Sequence, residues 1–478
     1  MKGYIYILKC SDNSYYTGST KNLKSRLYQH QIGKGSNYTK NRLPVKLVYF
    51  EEYERIDEAF SREKQIQGWN KKKKQSLIKQ NYKKLHNLAK CKNNSYFKRA
   101  LSGVEGRTAE FSIPTKIIFG AQKIQSLKNI LDPFCKKDTK ILLCIGQKSA
   151  KKYQYLDLVK VALENYKIII FEGIQPNPIL EKVEDGLLLA KKNKINLIIA
   201  LGGGSVMDTA KAIATAFANQ ITIKDLWQNP QQIKKQSTLL IMIPTTPATS
   251  SELNQFTVLT YQNIKKGFGL KPWMCPSLAL IDPTLTLSLS YEDTKASIAD
   301  ILAHALESFW SNKSTFLSRD FSKKALKIIF EYASSCLKNL SNLHLRTKIS
   351  EVSLYAGFAF SHTGTTVCHS LSYPFTVFHK IVHGEACALT IPLFYKIFGK
   401  TGKLEEINEI LEVKNSDEGS LKIEKFLNSI NIKTCLSDFK IITKHLESIL
   451  DYAFPYKNDV NPVKISKPEM FDYLNSII

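Results

Sequence analysis

The chain has 478 residues, 43% of them hydrophobic, and a formal net charge of +26 from 68 Lys and Arg against 42 Asp and Glu. Its length and apolar content allow several hydrophobic cores, whereas the lack of a run of 18 apolar residues excludes a membrane-spanning helix. The nine cysteines are odd in number and form no CxxC pair, which argues against a disulfide scaffold, and no apolar signal region opens the chain. We therefore expect a cytoplasmic protein with reduced thiols.

The first predicted elements are a β-hairpin and two helices. Residues 3–8 and 14–18 are rich in tyrosine and β-branched side chains, and the polar residues 11–13 lie between them. This pattern predicts two antiparallel strands joined by a turn. Residues 23–30 and 56–68 then have the apolar spacing of helices.

This N-terminal segment resembles a GIY-YIG nuclease domain of the small single-domain type over about its first 85 residues. Tyr6 and Tyr16 match the two motif tyrosines, Arg26 the phosphate-contacting arginine and Glu63 the metal-binding glutamate. The resemblance implies a small α+β domain that cleaves DNA. A tyrosine or His30 would take a proton from water, Arg26 would bind phosphate oxygens, and Glu63 would hold Mg²⁺ or Mn²⁺. A core of tyrosines with a surface arginine is the alternative.

Charge is concentrated at the start of the chain. The first hundred residues contain 23 Lys and Arg against 7 Asp and Glu, whereas the remaining residues contain 45 against 35. Such an asymmetry is typical of a DNA-binding segment joined to an ordinary enzyme. The four lysines at residues 71–74, beside Trp69, are either a nucleic-acid contact or a solvated helix face. Residues 86–110 are polar without clear periodicity and are the predicted linker.

Two turns that follow buried strands predict a nucleotide site. Residues 195–200 form a strand pattern, and Leu201-Gly-Gly-Gly-Ser205 leads from it into a helix. Glycines let the backbone approach a pyrophosphate, and free N–H groups at a helix N-terminus bind it. Residues 239–243 form a second strand pattern, and hydroxyl-rich residues 244–252 follow it. One ligand that crosses the sheet edge would explain both turns, although glycine turns also serve tight packing.

A helix and two further histidines predict a metal site. Residues 297–310 have helical spacing, so Asp300 and His304 project from one face. His369 and His383 bracket a segment that contains Pro374 and has the pattern of helix, loop and helix start. Three imidazoles and one carboxylate suit divalent iron or zinc with a position left open for substrate. A surface pair and a satisfied loop histidine are the alternatives.

The segment from about residue 111 to residue 478 resembles the iron-containing, group III alcohol dehydrogenases. The motifs that carry the resemblance occur in family order: Ile174-Gln-Pro-Asn-Pro178, Gly202-Gly-Gly-Ser205 with Asp208 and Lys211, Pro244-Thr-Thr246, Ile281-Asp-Pro283, the four predicted ligands, and Asn461-Pro462. The resemblance implies an α/β fold class overall: a Rossmann-like dinucleotide-binding domain over residues 111–285 and an all-helical metal-binding domain over residues 286–478.

The resemblance also implies roles for individual residues. The metal ligands would be Asp300, His304, His369 and His383. The cofactor contacts would be Gly203, Gly204 and Ser205 at the pyrophosphate, Thr245, Thr246 and Thr249 near the nicotinamide, and Asn177 and Lys266 in assisting positions. Where many members have a second histidine, this chain has Tyr373, whose hydroxyl can hydrogen-bond a substrate or relay a proton.

The predicted second strand of the α/β half bears on the choice between NAD and NADP. NAD-preferring members place an aspartate at its end, but this chain has Gly146 followed by Gln147 and Lys148. Loss of a carboxylate and gain of a lysine would remove repulsion from a 2′-phosphate, which favours NADP. A one-residue slip of the alignment, or a merely solvated Lys148, is the alternative.

The sequence thus predicts a metal-dependent, NAD(P)-linked alcohol dehydrogenase or aldehyde reductase fused to a nuclease domain. Segments that begin at His369 and His383 resemble the phosphonoacetaldehyde reductase branch, so a small aldehyde of phosphonate metabolism is the expected substrate. The expected partners are this substrate and DNA, without a membrane; a homo-oligomer through the dehydrogenase half is left open. Two alternatives stay open: a DNA-directed protein with a degenerate dehydrogenase scaffold, and a dehydrogenase whose basic domain is a passive tether.

Overall fold

The computed structural model describes residues 2–81, 110–455 and 457–478. The chain divides into two compact units, Met1–Arg107 and Thr108–Ile478. The predicted linker at residues 86–110 lies, except for its last residue, outside the described residues. The finer domain boundaries stay predictions.

The N-terminal unit contains an antiparallel sheet with the strand order β2-β1-β3. The strands are β1 (Gly3–Lys9), β2 (Tyr15–Thr20) and β3 (Lys46–Tyr53). The helices are α1 (Leu23–Gln31), α2 (Asn37–Lys40), α3 (Ile56–Gln67) and α4 (Lys71–Ile78). The antiparallel hairpin and the small α+β domain predicted from the sequence are confirmed.

Strand alternation divides the N-terminal unit into two cores. Ile5 and Ile7 pack with Ile66 of α3 on one face of the sheet. Tyr6 and Leu8 point to the opposite face and pack with residues of α1, because successive side chains of a strand alternate between faces. This alternation turns the Tyr6 hydroxyl towards α1.

The second unit begins with an α/β half around a parallel sheet, within which the described strands have the order β4-β11-β8-β7-β5-β6. The sheet strands are β4 (Lys116–Phe119), β5 (Lys140–Gly146), β6 (Lys167–Ile174), β7 (Leu197–Gly202), β8 (Leu240–Pro244) and β11 (Leu278–Ile281). A separate hairpin consists of β9 (Thr257–Tyr261) and β10 (Ile264–Phe268). The helices are α5 (Leu127–Leu131), α6 (Ser149–Lys152), α7 (Tyr155–Ala162), α8 (Leu180–Asn193), α9 (Gly204–Asn219) and α10 (Ile223–Gln228).

The order of the central strands locates a ligand crevice. The chain runs from β5 to β6 on one side and then returns to place β7 on the other side of β5. Loops that leave neighbouring parallel strands in opposite directions open a crevice at the carboxyl ends of those strands, where dinucleotides bind in such sheets. The buried central strands place apolar residues on both faces, and helices cover the sheet in two separate core clusters.

The described residues of the C-terminal half form helices joined by loops, without a β-strand. Its helices are α11 (Tyr291–Trp310), α12 (Phe316–Lys338), α13 (Leu343–Thr363), α14 (Val367–His379), α15 (His383–Ala388), α16 (Ile391–Gly399), α17 (Glu405–Ile410), α18 (Ser416–Ser429), α19 (Leu446–Ala453) and α20 (Lys467–Asn475). One apolar cluster joins them, and α11 is buried along most of its length. The predicted Rossmann-like half and helical half are therefore confirmed. In the part of the chain that the structure describes, no helix combines the length and apolar character needed to cross a membrane.

Candidate metal centre, cofactor cleft and nuclease site

The four predicted metal ligands converge in the helical half. Asp300 and His304 lie one turn apart on α11, His369 lies in the first turn of α14, and His383 begins α15. The Nε2 atoms of His369 and His304 are 3.0 Å apart. The Asp300 Oδ1 atom is 3.5 Å from His369 Nε2 and 3.9 Å from His304 Nε2. Donor atoms of His383 and Cys387 lie within 4.8 Å of those of Asp300 and His369.

The chemistry of this cluster fits a divalent transition metal. Asp300 Oδ1 and His304 Nδ1 are buried and have no hydrogen-bond partner among the described residues, and buried polar atoms are seldom left without a partner. Burial lowers the pKa of His304 to about 4 and holds the pKa of His383 well below its ordinary value. These imidazoles are therefore neutral lone-pair donors at neutral pH, as metal ligation requires. The donor set suits Fe²⁺ or Zn²⁺.

Glu307, to which the sequence analysis assigned no role, orients one ligand. Its carboxylate contacts His369 Nδ1 and accepts hydrogen bonds from the backbone N–H groups of Thr366, Cys368 and His369 and from the Thr366 hydroxyl. Burial lowers the pKa of His369, but Cys387, Glu307 and Asp300 raise it well above its ordinary value, so a metal would have to displace the proton on Nε2. A proton held on Nδ1 by a carboxylate then directs the Nε2 lone pair to the ion, and such carboxylate partners are typical of metal-bound histidines. The sequence signal for this role is the helical spacing of residues 300, 304 and 307, which places Glu307 on the same face of α11 as the two ligands.

The start of α15 packs closely against α11. A Cβ atom on Gly384 would overlap the carbonyl oxygen of Ala296 and lie 3.2 Å from Asp300 Cβ. Glycine is therefore required where α15 brings His383 to the cluster. One turn later, Cys387 Sγ lies 3.7 Å from His383 Nδ1. The sequence analysis did not include Cys387 among the candidate ligands, and the structure places its sulfur among the donor atoms.

Tyr373 lies one turn beyond His369 on the same helix. Burial raises the pKa of its phenol to about 12, so it is a hydrogen-bond donor at neutral pH. The Lys265 ammonium lies 5.3 Å from the centre of its ring. A Cβ atom added to Gly267 on β10 would come within 2.9 Å of the Tyr373 hydroxyl, so this hydroxyl reaches the β9–β10 hairpin.

The predicted cofactor residues gather at the carboxyl edge of the sheet. Gly146 ends β5, and Gly203 and Thr245 follow β7 and β8 directly. The Thr245 N–H donates to the carbonyl of Gly202, which ties the two turns together. Asn177 follows β6, is exposed, and has a left-handed φ of 55°. The structure therefore brings these positions to neighbouring strand ends.

The glycine turn and the threonine turn approach each other closely. A Cβ atom on Gly203 would lie 2.9 Å from Thr246 Oγ1, and one on Gly204 would lie 2.7 Å from Thr249 Cγ2. The 16-residue helix α9 begins at Gly204 and has Ser205 in its first turn. Its free N–H groups and dipole favour an anion such as a pyrophosphate at this point.

The half-buried Asp208 and the buried Lys211 support the threonine turn from α9. The Asp208 carboxylate accepts hydrogen bonds from the Ser251 hydroxyl (2.7 Å) and from the N–H of Val258 (2.9 Å). The Lys211 ammonium donates to two oxygens of Ser251 and to the carbonyl of Phe256. Each charge is satisfied by several partners, so the pair positions the loop and leaves no donor for a ligand.

Lys266 was predicted as a cofactor contact. Its ammonium donates to the carbonyl of Trp227 at 2.8 Å and lies 4.8 Å from the centre of the indole ring. The preceding residue, Lys265, is buried and lies near Tyr373. Adjacent residues of a strand point to opposite faces, so only one of these two lysines faces the Tyr373 side of the hairpin.

The N-terminal unit assembles a second site on α1. The Tyr6 hydroxyl is 2.9 Å from His30 Nε2, and Arg26 Nε donates to the same hydroxyl at 3.4 Å. The rings of Tyr16 and His30 are 5.1 Å apart. Gly18 leaves room for this arrangement, since a Cβ atom there would lie 2.6 Å from the Tyr6 hydroxyl.

The protonation states in this site suit proton transfer. Burial, followed by the charge of Arg26, lowers the pKa of His30 to about 4, and burial raises the pKa of Tyr6 to about 12. His30 is therefore a neutral base at neutral pH, and its Nδ1 is 2.7 Å from the Thr39 hydroxyl. Glu63 on α3 contacts the side chains of Ser19 and Gln67, so it lies beside the second motif strand.

A parallel α/β half with a dinucleotide-type turn and a helical half with a buried carboxylate–imidazole cluster define the class of metal- and dinucleotide-dependent dehydrogenases. Family models described as iron-containing alcohol dehydrogenase and as its C-terminal domain match residues 114–283 and 294–478. Over these residues the chain belongs to the iron-containing alcohol dehydrogenase family. The GIY-YIG catalytic domain model matches residues 2–76, so both predicted resemblances are confirmed.

Named relatives and solved structures agree with this family. NADH-dependent butanol dehydrogenase B of Clostridium acetobutylicum is 28% identical over 290 residues, which are 59% of this chain and 73% of that protein. Sulfoacetaldehyde reductase from Bifidobacterium kashiwanohense, solved with NAD⁺, is 27% identical with a TM-score of 0.71 and covers 77% of this chain and 99% of its own. An iron-containing alcohol dehydrogenase of Thermotoga maritima is 28% identical with a TM-score of 0.68 and the same coverage.

Proposed function

We propose that the second unit transfers a hydride between NAD(P)H and a small aldehyde, using a metal ion held by Asp300, His304, His369 and His383. The observation that carries this proposal is the buried donor cluster, in which Asp300 Oδ1 has no hydrogen-bond partner among the described residues. A divalent iron or zinc ion bound there supplies Lewis acidity at the substrate oxygen. The nicotinamide supplies the hydride.

The protein's own residues hold and orient the reactants. The N-terminus of α9 and the glycine turn bind the pyrophosphate, and Thr246 and Thr249 of the opposite turn contact the cofactor near the nicotinamide. The raised pKa of Tyr373 keeps its hydroxyl protonated, so it can donate a hydrogen bond to a bound substrate. The helical half shields the metal cluster from water, which strengthens each electrostatic contact.

Metal analysis of a ligand variant tests the proposal. Purified wild-type protein should hold about one divalent ion in the second unit, and His304→Ala should lose it because three remaining ligands form a weak, open site. His344→Ala, which removes an exposed histidine from α13, is the matched control and should keep the ion. Unchanged metal content in His304→Ala would refute the ligand assignment.

For the substrate we propose a small anionic aldehyde, with phosphonoacetaldehyde as the first candidate. The support is the resemblance of segments 369–374 and 383–392 to the phosphonoacetaldehyde reductase branch, together with the likeness to an enzyme named sulfoacetaldehyde reductase. The value of kcat/KM should be higher for phosphonoacetaldehyde than for propanal, a neutral aldehyde of similar size. Equal values would favour a general alcohol dehydrogenase.

For the cofactor we propose NADP. Gly146 ends β5 without a carboxylate, and the exposed Lys148 follows it, so a 2′-phosphate meets no negative charge there. The named butanol dehydrogenase relative is NADH-dependent, which makes the comparison of cofactors decisive. At equal concentrations NADPH should support faster aldehyde reduction than NADH, and a preference for NADH would show that the strand end was misassigned.

A second function, DNA cleavage, is proposed for the N-terminal unit. The specific observation that favours it is the hydrogen bond between the Tyr6 hydroxyl and a neutral His30 beside Arg26. His30 would take the proton of water through Tyr6 or directly, Arg26 would bind the phosphate, and Glu63 would hold Mg²⁺ or Mn²⁺ when such an ion is bound. A passive DNA-binding tether is the competing interpretation.

A further inference from the structure

A cavity of about 480 Å³ lies next to the helix that carries His369. Its lining includes Lys265 of β10, Ser370 and Tyr373 of α14, and Asp451, Lys457 and Asp459 from the region of α19. Ser370 and Tyr373 follow His369 by one and four residues on the same helix, so the cavity adjoins the proposed metal centre. Its volume suits a small organic substrate.

Lys265 contributes an unpaired cation to this cavity. The residue is only 7% exposed, and its ammonium has no hydrogen bond or ion pair among the described residues. The ammonium lies 5.3 Å from the centre of the Tyr373 ring. Burial lowers its pKa to about 8, although the neighbouring Cys387, Asp208 and Asp300 raise it. An ammonium group that is removed from water without a partner is unfavourable.

Other buried lysines of the same unit are treated differently. Lys211 donates to three oxygen atoms, and Lys295 pairs with the carboxylates of Glu292 and Glu385. The protein therefore satisfies its buried structural cations. Lys265 lacks such partners and faces a cavity. This combination is expected of a cation that binds a ligand.

A second cation lies in the same lining. Lys457 donates to the Thr365 hydroxyl, a neutral partner, and burial lowers its pKa. Of the two acidic residues in the lining, Asp451 is paired with Lys467 and Asp459 is exposed. Exposed and already paired carboxylates offset cations weakly. The other carboxylates that act on the two lysines, Asp208 and Asp300 on Lys265 and Glu307 on Lys457, lie outside the lining, so the lining itself presents two ammonium groups to an anion.

We propose that Lys265, together with Lys457, binds the anionic group of the aldehyde substrate and so determines specificity for anionic aldehydes. This inference rests on the proposed aldehyde reduction and names the residues that select its substrate. A tetrahedral oxyanion, phosphonate or sulfonate, offers three oxygens for two ammonium groups and for the hydroxyls of Ser370 and Tyr373. The carbonyl end of such a molecule is then left to face the metal centre.

Substitution of Lys265 tests the inference in the metal-loaded, full-length enzyme. Lys265→Met keeps most of the side-chain length without the charge, Lys265→Arg restores a cation, and Lys464→Met removes an exposed lysine as a control for net charge. The ratio of kcat/KM for phosphonoacetaldehyde over kcat/KM for propanal should fall about 10- to 100-fold in Lys265→Met, from the energy of a charge-assisted hydrogen bond. Lys265→Arg should recover part of the ratio, and Lys464→Met should match the wild type. If the enzyme recognises the oxyanion group, sulfoacetaldehyde should give the same pattern as phosphonoacetaldehyde.

Inorganic phosphate provides a second measurement that does not depend on the identity of the natural substrate. It should inhibit propanal reduction competitively with the aldehyde in the wild type, and much more weakly in Lys265→Met and Lys457→Met. If the wild type prefers the anionic aldehyde and Lys265→Met keeps both the preference and the inhibition, the inference is wrong. A rise in the KM of NADPH with an unchanged substrate ratio would assign Lys265 to the cofactor and would also overturn it.

The two proposals fail in different ways. Equal kcat/KM values for anionic and neutral aldehydes in the wild type would refute the proposed substrate. The phosphate experiment would still test the anion site. Competitive inhibition by phosphate that is lost in Lys265→Met would support the site, and lack of inhibition in the wild type would refute it.

Discussion

Glu307 shows how one side chain can decide the chemistry of its neighbours. Its carboxylate binds the first N–H groups of α14 and holds His369 through Nδ1, so it both caps a helix and sets the tautomer of a ligand. Burial raises the pKa of Glu307, but the opposing effects of His369, Thr366 and Lys457 are larger. The pKa of Glu307 therefore lies below its ordinary value. An ionised Glu307 keeps the proton on Nδ1 and leaves Nε2 free for a metal.

Glu307→Gln should therefore weaken metal binding while the fold persists. The amide oxygen can still accept from the N–H groups of α14, but the amide nitrogen would donate to His369 Nδ1 and force the ring proton onto Nε2. We expect the dissociation constant of the metal to rise roughly 10- to 100-fold, as for other outer partners of ligands, in a competition titration with a chelator. Glu331→Gln on α12 is the control, and an affinity equal to the wild type in Glu307→Gln would contradict the assignment.

His30 gives the N-terminal unit a dependence of stability on pH. Its pKa is about 4 in the folded protein against an ordinary value of 6.5, so between these values the unfolded chain binds more protons. The contribution of His30 is fully present above about pH 6.5 and is lost as the pH falls towards 4. The urea midpoint of a fragment of residues 1–107, followed by the fluorescence of Trp69, should decrease over this range.

The slope of that decrease identifies the residue responsible. His30→Gln cannot titrate, so its urea midpoint should change less between pH 6.5 and pH 4.5 than that of the wild type, whatever its absolute stability. Equal slopes in the two proteins would mean that other groups cause the pH dependence.

At the scale of elements, two close approaches build the second unit's site. The turns after β7 and β8 meet through Gly203 and Gly204, and the start of α15 meets α11 through Gly384. Both approaches bring backbone segments nearer than a side chain would permit, so the geometry of the site depends on the packing of whole elements.

Gly384→Ala should displace α15 and with it His383. The obstacle is the carbonyl of Ala296, a backbone group that cannot rotate away, so we expect a destabilisation of about 1–3 kcal/mol, as for overpacked cores, and a loss of bound metal. Thermal unfolding and metal analysis measure these effects. Gly146→Ala is the control, because a Cβ atom there would lie 3.6 Å from its nearest neighbour. This variant should keep both the bound metal and the melting temperature of the wild type. A Gly384→Ala protein that retains its full metal content would disprove the packing argument.

At the scale of the whole molecule, the chain joins two units with different charge. The first hundred residues contain 23 Lys and Arg against 7 Asp and Glu, and the remaining residues contain 45 against 35, so the positive charge is most concentrated in the first unit. The described residues of each unit contain their own core clusters and their own candidate site. Each candidate site is built from residues of its own unit.

The nuclease interpretation predicts separate effects on DNA binding and on cleavage. The full-length protein should bind DNA with an affinity that falls steeply with salt, because each neutralised phosphate releases a counterion. Cleavage should require Mg²⁺ or Mn²⁺, and Glu63→Ala should abolish cleavage but leave binding nearly intact, since it removes no positive charge. Glu58→Ala on the same helix is the control and should cut normally; Arg26→Ala should slow cleavage and weaken binding only slightly.

The same assay decides between nuclease and tether. The wild-type protein is tested on duplex, single-stranded and branched DNA with each metal. If it binds these DNAs but cuts none of them, the tether interpretation is supported and the nuclease interpretation is wrong. Cleavage that persists in Glu63→Ala would instead show that the metal-binding residue lies elsewhere.

Local patterns were sufficient to predict the hairpin, the glycine turn and the helix of Asp300 and His304, because strand alternation, turn chemistry and helical spacing act over a few residues. Family resemblance supplied the order of the motifs and the two folds. The convergence of His369 and His383 on α11 followed from that resemblance, and the structure shows the donor atoms together. The sequence analysis did not identify Glu307 or the position of the Cys387 sulfur, since both depend on contacts between helices.

The lysine pair on β10 shows why tertiary structure was needed. Lys265 and Lys266 are adjacent and chemically identical, and a shift of one residue in strand register would exchange their faces. The pairing of β9 with β10 in the register Lys265↔Thr260 and Lys266↔Leu259 sends Lys266 to Trp227 and buries Lys265 beside Tyr373. Register is decided by packing against the rest of the fold, so the choice of which lysine faces the cavity cannot be made from the sequence.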